Sequence, residues 1–148
     1  MAVRGYSISD ANGILLVEDN PSDVELTQRA LRKAGVDRPI RIAADGVEAI
    51  EMLFGPADPG GRWMPALILL DLKLPKIGGL EVLDAIKRNE STRSIPTIVL
   101  TSSRELSDVA EAYRLGANSY VVKPVDFDRF TTTIARIAAY WIELNEWT

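Results

Sequence analysis

Ala66-Leu67-Ile68-Leu69-Leu70-Asp71-Leu72-Lys73-Leu74-Pro75 is the stretch on which the fold turns. Five apolar residues run without a break into an aspartate, and turn signals follow at Pro75 and Gly78-Gly79. An apolar run bounded in this way predicts a strand buried on both faces, as in a parallel sheet. Asp71 then lies where a buried strand opens into solvent, the edge at which ligands bind in open α/β sheets. Taken alone, Asp71 reads equally well as a helix cap or a solvated strand end.

Three further strand ends resemble it. Upstream, Gly13-Ile-Leu-Leu-Val17 ends in Glu18-Asp19. Asn20 then offers a helix N-cap, Pro21 suits the first helical position, and Asp23 and Glu25 favour the first turn. Val24, Thr27, Leu31 and Ala34 recur at helical spacing up to a stop at Gly35. Pro39 to Ala44 reads as a strand near an edge. Asp45-Gly46 precedes a helix from about Val47 to Phe54, with Val47, Ile50, Leu53 and Phe54 inward. Gly55 to Pro65 is longer than the usual ~2–6-residue helix-to-strand connection. It enters the amino end of the Asp71 strand, so it should lie away from a site at the carboxyl edge, with Trp63 packed on the flank.

Downstream, Leu80, Leu83 and Ile86 mark a helix over about Gly79–Asn89. Pro96-Thr-Ile-Val-Leu100 is a strand ending in Thr101-Ser102-Ser103. Leu106, Val109, Ala110 and Tyr113 mark a helix closed by Gly116, and Ser119-Tyr-Val-Val122 is a strand ending in Lys123-Pro124. Asp126 caps a last helix. Strand and helix alternate five times, which predicts an α/β fold with a five-stranded parallel doubly wound sheet. It forms one domain over residues 13–148, after a flexible leader over residues 1–12.

The composition narrows what such a domain can do. Its 148 residues are enough for one core, and 47% hydrophobic with 26% charged residues is ordinary for a soluble globular protein. With no cysteine and no histidine, thiol chemistry and imidazole ligands are excluded, and any phosphohistidine must come from another protein. A formal net charge of −4 argues against a nucleic-acid surface. No stretch approaches a membrane span, and residues 1–12 lack the apolar core of a signal peptide, so the expected location is cytoplasmic.

Parallel, adjacent strands would bring Glu18, Asp19, Asp71, Thr101 and Lys123 to one edge. At ~4 Å and an effective dielectric near 20, each carboxylate pair costs about 4 kcal/mol, so the cluster needs protonation or a cation. Hard oxygen donors without His or Cys favour Mg²⁺ or Mn²⁺. Carboxylates, a divalent ion, an ammonium and a hydroxyl suit phosphoryl transfer, in which positioning and charge neutralisation dominate. Asp71 is the natural acceptor carboxylate.

From about Gly13 to Leu144 the chain resembles a response-regulator receiver domain. The matching residues are Glu18-Asp19, Asp71 in Asp-Leu-Lys-Leu-Pro, Thr101 in Leu-Thr-Ser-Ser, and Lys123-Pro124. The resemblance implies a flavodoxin-like (βα)5 fold and a phosphoryl group accepted on Asp71 from a histidine kinase or phosphotransfer protein. It implies Mg²⁺ held by Glu18, Asp19, Asp71 and the backbone carbonyl of Lys73, with Thr101 and Lys123 on the phosphoryl oxygens. Tyr120 is the aromatic that moves inward with Thr101, and the Lys123-Pro124 bond is usually cis in the family. Such a protein is a signalling receiver rather than an enzyme. The Val-Val-Lys-Pro-Val-Asp-Phe segment and the Tyr-Trp-Ile-Glu-Leu-Asn-Glu tail resemble stand-alone receivers, including those serving bacterial phytochromes.

Two other readings compete. A haloacid-dehalogenase-type phosphatase would need a second Asp where this chain has Lys73. A phosphate-independent receiver-like adaptor would signal by binding alone.

In the last helix Phe127, Phe130, Ile134, Ile137, Trp141 and Leu144 form an a/d stripe spanning ~26 Å, longer than a ~17–20 Å strand. The first four should cover the sheet. Tyr140, Trp141 and Leu144 should overhang it and offer a homodimer surface. No DNA-binding module is expected after it.

Two positions depart from the family pattern. Gly78 removes a potential helix cap. Lys73 places a positive charge where Asn or another polar residue is common, and that charge is expected to slow loss of the phosphoryl group. Lys73→Asn should therefore shorten the phosphoryl lifetime; equal lifetimes for the two proteins would remove the idea.

Overall fold

The computed structural model describes residues 13–57 and 59–144; the leader 1–12 and the last four residues lie outside it. Five parallel strands, β1 Ile14–Val17, β2 Ile40–Ala43, β3 Leu67–Leu70, β4 Thr97–Thr101 and β5 Ser119–Val122, form one sheet in the order β2-β1-β3-β4-β5. The helices are α1 Pro21–Lys33, α2 Gly46–Phe54, α3 Gly79–Arg88, α4 Leu106–Leu115 and α5 Phe127–Ala138. Among the described residues no helix is long and apolar enough to cross a membrane.

The uninterrupted apolar runs serve both faces of the sheet because alternate residues point to opposite sides. Leu15, Val17, Ile68, Leu70 and Val99 form one core with Ala49 and Leu53 of α2 and Val82, Leu83 and Ile86 of α3. Ile14, Leu16, Leu67, Leu69, Ile98 and Leu100 form the other, with Ala30 and Leu31 of α1 and Phe130, Ile134 and Ile137 of α5. β3 is central and wholly buried, which leaves Asp71 at the middle of the carboxyl edge.

Register aligns that edge. Val17 pairs with Leu70, Leu70 with Val99, and Thr101 with Val122. Asp71 N–H donates to the Val17 carbonyl at 3.0 Å, and Lys123 N–H to the Thr101 carbonyl at 2.7 Å.

Local chemistry starts the helices as the sequence predicts. Asn20 Oδ1 accepts from Ser22 and Asp23 N–H, and Asp45 Oδ1 accepts from Glu48 N–H while Glu48 Oε1 accepts from Ala44 N–H. Asp126 Oδ1 accepts from Arg129 N–H. At α3 only half of a capping box exists: Gly78 N–H donates to Glu81 Oε1 at 3.4 Å, and glycine has no side chain to return the bond. Gly79 allows α3 to pack directly on the turn after β3, since a Cβ there would lie 2.3 Å from the Asp71 carbonyl oxygen.

Some helix faces differ from the pattern. In α2 Ala49 is fully buried and Val47 only half-buried. In α4 the row marked by Leu106 and Tyr113 faces outward, these two being 83% and 50% exposed; Ala112 is the residue packed inward. Phe127 is 56% exposed instead of covering the sheet; it lines a surface hollow together with Leu26 and Arg29 of α1.

α5 continues into a π-helical segment, Ala139–Leu144. Its i→i+5 bonding makes a wider turn than α. Trp141, expected to overhang, packs with Ile142 against the second core, while Tyr140 and Leu144 stay exposed. Trp63 packs on the first core, with the Arg41 guanidinium 4.5 Å from its ring centroid. Among the described residues no peptide bond is cis, so Lys123-Pro124 is trans here.

Candidate functional site

Four strand ends and one helical turn build the site. Asp71 follows β3 and is 6% exposed; Glu18 follows β1 and is 3% exposed; Asp19 beside it is exposed. One oxygen from each of these carboxylates lies within 4.8 Å of the others. From the end of β5, Lys123 reaches in and its ammonium donates to Glu18 Oε1 at 2.6 Å, Asp23 Oδ2 at 2.9 Å and Asp71 Oδ2 at 3.2 Å. The second oxygens of Glu18 and Asp71 are also engaged: Glu18 Oε2 accepts from Asn20 N–H at 3.2 Å, and Asp71 Oδ1 accepts from Lys73 N–H at 3.3 Å. The Lys73 side chain is exposed, and the turn closes on Leu72, whose carbonyl accepts from Leu74 and Gly79 N–H.

Burial decides the electrostatics. It pushes the Glu18 carboxyl up to about 7, aided by the charge of Asp71 and opposed by the hydrogen bond from Lys123. Burial alone would lower Lys123, but its bonds to Asp23 and Glu18 and the charge of Asp71 outweigh this and raise it above the ordinary lysine value. The ammonium is therefore fixed as a cation among carboxylates.

On the β4 side, Thr101 is fully buried and its hydroxyl accepts from Ser103 N–H at 3.4 Å. Ser103 Oγ donates to Asp108 Oδ2 at 2.6 Å and accepts from Glu105 N–H at 3.3 Å; its carbonyl accepts from the Tyr120 hydroxyl at 3.0 Å. Burial raises the Tyr120 phenol above its usual value. Thr101 and Tyr120 are thus linked through Ser103.

The structure gathers Glu18, Asp19, Asp71 and Lys123 at one point, with Thr101 ending the neighbouring strand. Tyr140, Trp141 and Leu144 stand at the other end of α5, where Ile142 and Glu143 border the α1–β2 turn. Sequence reading missed Asp23 and Ser103. Asp23 carries the signal of a first-turn helical acid, and only the lay of α1 over the sheet edge turns it inward. Ser103 is the end of a Thr-Ser-Ser run with nothing to single it out.

A profile of the response regulator receiver domain matches residues 14–135, and the chain belongs to that family. The probable methanogenesis regulatory protein FilR2 of Methanothrix harundinacea is 42% identical over 132 residues, covering 89% of this chain and 84% of that protein. Response regulator Rcp1 of Synechocystis is 38% identical over 130 residues, 88% of each chain. Among solved structures, the phosphorylated cyanobacterial phytochrome response regulator RcpA superposes with a TM-score of 0.87 at 34% identity, over 92% of this chain and 97% of that one. The Mn²⁺-bound form of Rcp1 gives 0.86 at 36%, over 93% and 99%.

The protein is therefore a two-component signalling receiver, with a histidine kinase as its upstream partner. Mg²⁺ is its ion, and the donor set here fits: clustered carboxylate oxygens, one of them from a glutamate that is 3% exposed.

An ion held by the Glu18, Asp19 and Asp71 group would need Glu18 as the carboxylate. Its pKa in the metal-free protein is raised from 4.5 to about 7, so proton uptake competes with the ion below that value. Mg²⁺ affinity should rise with pH up to about 7 and then level off, with a proton released on binding at about pH 6 and almost none at about pH 8. Calorimetry in buffers of different ionisation enthalpy reads this; an affinity flat from about pH 5.5 to 8 would refute it. The stability contribution has the opposite sense. A raised folded-state pKa stabilises the metal-free protein below about 4.5, and that contribution is lost as pH rises through about 7.

Proposed function

We propose that Asp71 accepts a phosphoryl group from a histidine kinase or histidine phosphotransfer protein. An Asp71 oxygen bonds to phosphorus as the bond from phosphorus to the donor's imidazole nitrogen breaks, and that nitrogen takes up a proton. The observation that carries this reading is the Asp71 carboxylate: it stands at the end of the central strand, 3.2 Å from a fixed ammonium, in a cluster of metal-type donors. Glu18, Asp19, Asp71 and the backbone carbonyl of Lys73 would hold Mg²⁺, which would supply positive charge to neutralise the phosphoryl oxygens. Thr101 and Lys123 contact those oxygens, and Tyr120 follows Thr101 through Ser103. The protein catalyses only its own phosphorylation and slow dephosphorylation. An exposed Lys73 side chain, where a haloacid-dehalogenase-type phosphatase needs its second Asp, weighs against ester turnover.

Relatives described as phytochrome response regulators support a place beside a light-sensing kinase. We place the receiver domain over residues 13–148 in the cytoplasm, with output through protein contacts, since a formal net charge of −4 weighs against a nucleic-acid surface. Tyr140 at 50% and Leu144 at 70% exposure, beside Trp141, support a homodimer through the C-terminal end of the last helix.

Incubation with Mg²⁺ and a small acyl phosphate should add one phosphoryl group by intact mass, and none to Asp71→Asn. An unmodified wild type with Mg²⁺ bound would turn the reading to the phosphate-independent adaptor. For the dimer, a chain truncated after Ala139 should sediment as a monomer where the full chain does not; an unchanged mass would remove that surface.

A further inference from the structure

Asp23 is the carboxylate of the site that the acidic triad does not use. It sits on the first turn of α1, where Asn20 Oδ1 accepts its N–H at 3.2 Å. Its own Oδ2 accepts from Lys123 Nζ at 2.9 Å, with the Asp23 side chain 26% and the lysine side chain 9% exposed. The three protons of the ammonium are thus divided among Glu18, Asp23 and Asp71. Glu18 and Asp71 belong with Asp19 to the triad that fits a divalent ion; Asp23 stands outside it.

An ion taking the triad draws on the lone pairs of Glu18 and Asp71 and repels the ammonium. A lysine nearly sealed from solvent and stripped of partners is strongly disfavoured. The acceptor left to it is Asp23. We infer that Asp23 is a positioning residue: it retains Lys123 beside the site when the ion occupies the triad, so that the ammonium is already within reach of phosphoryl oxygens on Asp71. This rests on the proposed role of Asp71 and adds a residue to it. Without Asp23, displacing Lys123 becomes harder and its return to the phosphoryl group slower.

The test is a double-mutant cycle on the full chain, with Asp23→Ala, Asp23→Asn and Asp23→Glu each made in wild type and in Lys123→Met. Three quantities are read: melting of the metal-free protein, Mg²⁺ affinity by calorimetry, and the phosphorylation rate with a small acyl phosphate at saturating Mg²⁺. In wild type, Asp23→Ala should weaken Mg²⁺ binding and slow phosphorylation by about tenfold each, with Asp23→Glu recovering most of both. In Lys123→Met the same substitution should change Mg²⁺ affinity by less than about threefold, and its melting cost should shrink. Equal losses in both backgrounds, or no loss in wild type, would overturn the inference. If wild type takes no phosphoryl group at all, the reading of Asp71 fails by itself, and the Mg²⁺ affinities alone decide the role of Asp23.

Discussion

Four carboxylates surround one ammonium at the mouth of a buried sheet, and that imbalance organises the molecule. Lys123 satisfies three of them at once, Asp19 faces solvent, and Glu18 is left partly protonated in the absence of an ion. The arrangement is held under electrostatic tension, which a divalent cation or a transferred group can relieve. Low local dielectric makes each of these interactions stronger than it would be in water.

The fold supplies the rigidity that such crowding needs. β3 lies between β1 and β4, and every residue of these three strands is buried. A shift of Asp71 would therefore require repacking both cores. The turn after β3 is braced against α2, since a Cβ on Gly46 would lie 2.0 Å from the Ile77 carbonyl oxygen, and Lys76 pairs with Asp45 at 3.2 Å. On the far side polar contacts add to the core packing. The β4–α4 loop is held by hydrogen bonds centred on Ser103, and the outer face of α4 leaves Leu106 in solvent. The acceptor side is thus set by close backbone packing, and the β4–α4 loop by side-chain hydrogen bonds on Ser103.

Most of the fold was legible because its signals are local. Continuous apolar runs fix the buried strands, and Asn20, Asp45, Asp126 and Gly116 punctuate the helices by short-range chemistry. Glu18, Asp19, Asp71 and Lys123 could be brought to one edge because parallel strands all present their carboxyl ends there. Asp23 was not legible as part of that edge, since its inward turn depends on how α1 crosses the sheet. Helical periodicity misjudged burial at both ends of α5, overstating it at Phe127 and understating it at Trp141. It registers that Phe127 and Trp141 share a stripe, but not that the first stays exposed while the second packs on the core.

The connection between α2 and β3 joins the sheet at the edge opposite the carboxylates. Its wall is anchored by Trp63 under Arg41 and by Arg62 donating to the Leu53 carbonyl, while Gly60 and Gly61 project into open space. A tip of that kind can absorb added length without strain reaching the anchored residues. The domain therefore carries a built-in port for a genetically inserted reporter or tether, one that leaves the acidic mouth, the Ser103 loop and the end of α5 untouched.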